Sequence, residues 1–73
     1  GRQMSKLDKA DAIAVLQAVD AKPDQDFHTL SGGQVECLLS WARHFGYRQP
    51  RNANGSKARY FFAYLQRLTD RNA

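Results

Sequence analysis

A single cysteine, two histidines and two prolines among 73 residues leave several kinds of function without the side chains they need. Cys37 has no partner for an intrachain disulfide, which suits a reducing cytoplasm. With His28 and His44 far from it in sequence, it fits no zinc-ligand spacing. No metal or cofactor is therefore expected. Cys37 and His44 lie seven residues apart with no acid or amide evidently placed to orient the histidine, so a thiol nucleophile is not expected. Cys37 beside Leu38 reads instead as a small hydrophobe. The longest apolar run, 12–16, is far too short to span a bilayer, and the N-terminal third carries acids where a signal peptide would be apolar. The expectation is a cytoplasmic protein, non-membrane and not an enzyme. Gly1-Arg2-Gln3 ahead of Met4 reads as a cloning remnant, leaving 4–73 as one domain.

Acidic residues are the other absence. None occurs from Cys37 to Thr69, a stretch that holds Arg43, Arg48, Arg51, Lys57, Arg59 and Arg67. Residues 1–36 balance at −2 and residues 37–73 at +6. Such one-sidedness points to an anionic partner, although a solvated basic surface has the same composition.

Hydrophobic residues make up 42% of the chain, enough for one modest core and no second domain. Nothing alternates with the period of a strand, whereas three segments carry helical period. The first covers about 6–21, with Ala12, Val15, Leu16 and Val19 on one face and Ile13 on its flank. Asp8 and Asp11 near its start suit the helix dipole, and Pro23 is read as its stop. Phe27 and Leu30, in the connection that follows, are expected to tuck onto the core. Ser31-Gly-Gly-Gln34 has capping-box spacing, with Leu30 and Val35 placed as a hydrophobic staple. The second helix then covers about 32–45, buries Val35, Leu38, Leu39, Ala42 and Phe45 with Trp41 beside them, and ends at Gly46. Turn formers fill 47–55, and Ser56 caps a third helix over about 57–70, whose buried stripe is Ala58, Phe61, Phe62, Leu65 and Leu68. The fold expected is all-α, a compact three-helix domain.

The third helix has a second face. At about 100° per residue, Lys57, Tyr60, Tyr64, Arg67 and Arg71 align beside the core stripe. Interleaved aromatic and basic residues suit stacking on bases and neutralising phosphates. The same tyrosines also suit the edge of a core. Ahead of this helix, Gly55, the Ser56 hydroxyl and the free amides of a helix start make an anion site that Arg48, Arg51, Lys57 and Arg59 would surround. A plain capped helix start behind a basic loop is the alternative. The glycine pattern of a P-loop is missing, which excludes nucleotide hydrolysis of that type.

The run Tyr47-Arg48-x-Pro50-x-Asn52-Ala53-Asn54-Gly55-Ser56-x-Ala58-Arg59-Tyr60-Phe61 resembles a segment of short uncharacterised proteins carried by phages and other mobile elements of proteobacteria. The similarity covers the C-terminal third to half of the chain. It implies a mobile-element accessory protein and carries over no catalytic residue. Two functions follow. The first is nucleic-acid binding, with Arg48, Arg51, Lys57, Arg67 and Arg71 on phosphates and Tyr60 and Tyr64 on sugar or base. The roughly nine-residue loop before the third helix departs from the three or four residues of a helix-turn-helix, so phosphate-dominated contact is the expected form. The second is a protein-binding module, for example an inhibitor of a host defence protein, centred on Trp41, Tyr47, Tyr60 and Tyr64. A homodimer through the same surface would help stabilise so small a domain.

Overall fold

The computed structural model describes residues 7–52 and 55–70. Three helices, α1 (Lys9–Val19), α2 (Gly32–Phe45) and α3 (Lys57–Asp70), pack so that each touches the other two. One turn of 3-10 helix, Phe27–Thr29, lies in the first connection, and the described residues contain no strand. The domain is an all-α three-helix domain, as expected.

The core follows the periodic positions. Ala12, Val15, Leu16 and Val19 of α1 meet Leu38 and Ala42 of α2 and Ala58, Phe61, Phe62 and Leu65 of α3, all of them buried. Val35, Leu39, Trp41, Phe45 and Leu68 are half-buried at its edge, so the stripe of α2 is narrower at full burial than its sequence suggests. Phe27 and Leu30 pack on the core from the first connection, with the Phe27 ring 6.1 Å from that of Phe62. Leu7 and Ala21, just outside α1, are also buried. Leu7 stands immediately before the N-cap, the staple position that holds the chain's entry to a helix.

α1 is shorter than the expected 6–21. Asp8 and Asp11 form a reciprocal capping box, Asp11 N–H donating to Asp8 Oδ1 at 2.9 Å and Asp8 N–H to Asp11 Oδ2 at 3.3 Å, so the helix starts at Lys9. Its end is set by Asp20, not Pro23. Asp20 takes the left-handed conformation (φ 67°), while its N–H reaches Gln17 O at 3.1 Å and the Ala21 N–H reaches Leu16 O at 2.9 Å. Those are the paired bonds of a Schellman ending, made without glycine.

α2 and α3 match their expected spans. Ser31 and Gln34 form the capping box of α2, and Gly46 ends it in the left-handed conformation (φ 71°). Gln34 does more than cap. Its Nε2 donates to Val19 O at 3.1 Å and Asp20 O at 3.0 Å, tying the last carbonyls of α1 to the start of α2. Gln66 of α3 likewise donates to Gln25 O at 2.8 Å, fastening the first connection across the third helix.

Candidate nucleic-acid interface

Gly46 aims the chain that leaves α2. The Tyr47 N–H donates to Ala42 O at 2.8 Å across the left-handed glycine, which turns Tyr47 back over α3. There its ring lies 5.2 Å from Phe61, tilted by 54°, and 5.6 Å from Tyr64, nearly parallel at 29°. Tyr47, Tyr60 and Tyr64 are half-buried. Burial pushes the Tyr47 phenol above its usual range; the Arg67 cation opposes that, and Tyr64 and Tyr60 add to it.

The loop that follows is closed on itself. Gln49 Nε2 donates to Gly55 O at 3.2 Å, leaving Arg48 and Arg51 exposed along the intervening chain. Gly55 has φ 136°, and a Cβ there would stand 3.6 Å from the Tyr60 ring and 3.9 Å from the Arg59 stem. Ser56 Oγ accepts from the Arg59 N–H at 3.2 Å, the capping bond expected of it. One of the amides expected to be free for an anion is therefore already occupied by the cap. Lys57 is half-buried beside it.

Arg59 stands apart from the tyrosine group. Asp26 is held below the usual carboxylate range chiefly by the His28 N–H at 3.1 Å and the His28 ring at 3.2 Å, with Arg59 contributing. By the helical wheel Arg59 falls on the other flank of α3 from Tyr64, although its stem and the Tyr60 ring both lie beside Gly55. Arg67 lines an open groove of about 440 Å³ with Pro23, Asp24, Gln66 and Asp70. It lines a second, of about 360 Å³, with Tyr64, Leu68 and Asp70. Asp24 and Asp70 line the first and Asp70 the second, so Arg67 shares each groove with at least one carboxylate, and the second also brings it beside Tyr64. Arg71 lies outside the described residues.

The expected residues therefore divide. Arg48, Arg51, Ser56, Lys57, Tyr60, Tyr64 and Arg67 belong to the loop and one side of α3, while Arg59 belongs to the other. Among the described residues no lysine or arginine forms an ion pair with a carboxylate; the pair there is between Asp26 and His28, at 3.2 Å. Sequence reasoning placed Tyr47 only in the protein-binding alternative and missed its stacking on Tyr64. Gly46 is its signal, because a left-handed ending sends the next residue back along the helix pair.

Elsewhere, His44 lies against Trp41 at 5.5 Å and Phe45 at 5.0 Å, both edge to face, and Cys37 is half-buried. Among the described residues no three His, Cys, Asp or Glu side chains are grouped to hold a metal. No described helix is long and apolar enough to cross a membrane. No family model, curated protein or solved structure matches the chain.

Proposed function

We propose that this chain is a small non-enzymatic nucleic-acid-binding protein of the cytoplasm, an accessory factor of a phage or other mobile element. Its contact surface is the 47–57 loop with the adjoining side of α3. Arg48, Arg51, Lys57 and Arg67 neutralise phosphates there, Arg71 is assigned the same role from the sequence alone, and Arg59 adds charge from the other flank. The supporting observation is a set of cations on the loop and α3 that form no ion pair with a carboxylate among the described residues, on the same two elements as the stacked, half-buried Tyr47–Tyr64 pair. Unneutralised charge on a rigid support lowers the cost of taking up a polyanion, since no internal pair must first be broken. The accessory role is what the resemblance expected for residues 47–61 would imply.

A second reading has its own observation. Trp41 stacks on Phe45 at 5.9 Å and meets His44 edge to face, a half-buried aromatic group on α2 of the kind that anchors protein interfaces. Under that reading the chain docks on a host protein or on a second copy of itself.

Fluorescence anisotropy of labelled oligonucleotides over a salt series tests the first reading. Binding should weaken steeply with salt. Replacing Arg48, Arg51 and Lys57 by alanine should reduce the logarithmic salt slope by about 1 for each phosphate the protein no longer neutralises. Absence of binding at low salt, or a slope unmoved by all three substitutions, would refute it. An aromatic-centred protein interface would show little salt dependence.

A further inference from the structure

The tyrosines are not arranged as a platform for bases. Tyr47 has Phe61 at 5.2 Å and Tyr64 at 5.6 Å, and the near-parallel Tyr47 and Tyr64 rings each turn one face to the other. A base inserted between them would have to break a stack that also rests on the core residue Phe61. The hydroxyls are placed differently. Neither the Tyr47 nor the Tyr64 hydroxyl has a hydrogen-bond partner among the described residues, and no buried polar side-chain atom is left unsatisfied there. Both hydroxyls therefore reach solvent, and the Tyr47 hydroxyl does so within the field of Arg67. The stacked sides of Tyr47 and Tyr64 face each other while their hydroxyls reach outward, with Arg67 lining the groove beside Tyr64.

We infer that the ligand is double-helical nucleic acid, held by its sugar–phosphate backbone through the Tyr47 and Tyr64 hydroxyls together with Arg48, Arg51, Lys57 and Arg67. This rests on the nucleic-acid reading above. A tyrosine hydroxyl donates to a phosphate oxygen, and such contacts position a protein on a duplex without reading its sequence. Single-strand binders instead expose aromatic faces on which successive bases stack, and here the facing sides of Tyr47 and Tyr64 are engaged with each other. No helix is joined by the short turn that sets a recognition helix into a groove, since residues 46–56 separate α2 from α3. Contact is thus expected along the outside of the duplex, with little dependence on base sequence.

The test compares a short duplex DNA, the same duplex in RNA and each single strand at one salt concentration, against wild type, Tyr64→Phe and Tyr64→Leu. Phenylalanine keeps the ring and its stack on Tyr47 but removes the hydroxyl. Both duplexes, or one of them, should bind at least as tightly as the single strands. Tyr64→Phe should weaken duplex binding about three- to tenfold, close to the effect of Tyr64→Leu. Circular dichroism should show both variants folded, the phenylalanine variant serving as the reference if the leucine variant is not. Tighter binding of single strands, with Tyr64→Phe indistinguishable from wild type, would overturn the backbone assignment while leaving nucleic-acid binding intact. No binding of any strand would remove both.

Discussion

Gln34 holds two helix ends with one amide. Its Oε1 accepts from the Ser31 N–H at 2.9 Å, while its Nε2 donates to two carbonyls at the end of α1. Glutamate serves a capping box as well as glutamine does, yet here it would set a carboxylate against two carbonyl oxygens at the negative end of a helix. Gln34→Glu should therefore cost about 1–3 kcal/mol in urea unfolding, more than Gln34→Ala. A glutamate variant as stable as wild type would show that the link to α1 contributes nothing. The Tyr47 phenol makes a second prediction at this scale. Its ionisation lies above that of a free tyrosine, so folding favours its neutral form. That contribution is full below the unfolded pKa of about 10 and is lost as pH rises through the higher folded value. The last tyrosinate absorbance step of the alkaline titration should disappear in Tyr47→Phe; its persistence would place the shifted phenol elsewhere.

The two left-handed endings show how much of each element is legible in sequence. Gly46 announces its ending, because glycine adopts positive φ without a Cβ penalty. Asp20 does not, because nothing in its identity requires that conformation and Pro23, three residues on, offers a stronger conventional stop. Helix starts are readable where a cap stands beside an apolar period, as at Ser31 and Ser56. At α1, the charges of Asp8 and Asp11 suit a helix start anywhere in the first turn, and only their reciprocal cap places the boundary at Lys9. The candidate site is legible as a list of residues on one helix wheel. Its division between Arg59 and the tyrosine side is already in the helical period, whereas the stacking of Tyr47 on Tyr64 depends on the path of the chain after Gly46, about which local period carries no information. Gly46→Ala should cost about 1–2 kcal/mol, whereas Asp20→Gly should change stability by less than about 1 kcal/mol in either direction. Thermal unfolding of the two variants checks both; equal and large destabilisation would mean that the left-handed conformation at Asp20 is not the relevant feature.

At the scale of the molecule, a 73-residue domain has a total stability of about 4–11 kcal/mol, held by one small core. Phe61 is fully buried at its centre and also supports Tyr47. Phe61→Ala should cost about 3–5 kcal/mol and leave the chain largely unfolded by circular dichroism. A folded Phe61→Ala variant would show that the core repacks without it. The same smallness couples core to surface, since the residues that seat the tyrosine group are core residues. Charge is distributed on the same scale, with the acids of residues 1–36 mostly on α1 and the first connection and the cations of residues 43–67 mostly on the loop and α3. Amide chemical-shift mapping of the labelled protein during titration with a short duplex addresses that division most directly. The expected result is that the largest perturbations fall at Tyr47, Arg48, Arg51, Lys57, Tyr64 and Arg67, while Ala10, Ile13 and Gln17 on the outer side of α1 stay still. Perturbations centred on α1, or none at saturating duplex, would contradict the assignment of the loop and α3 as the nucleic-acid surface.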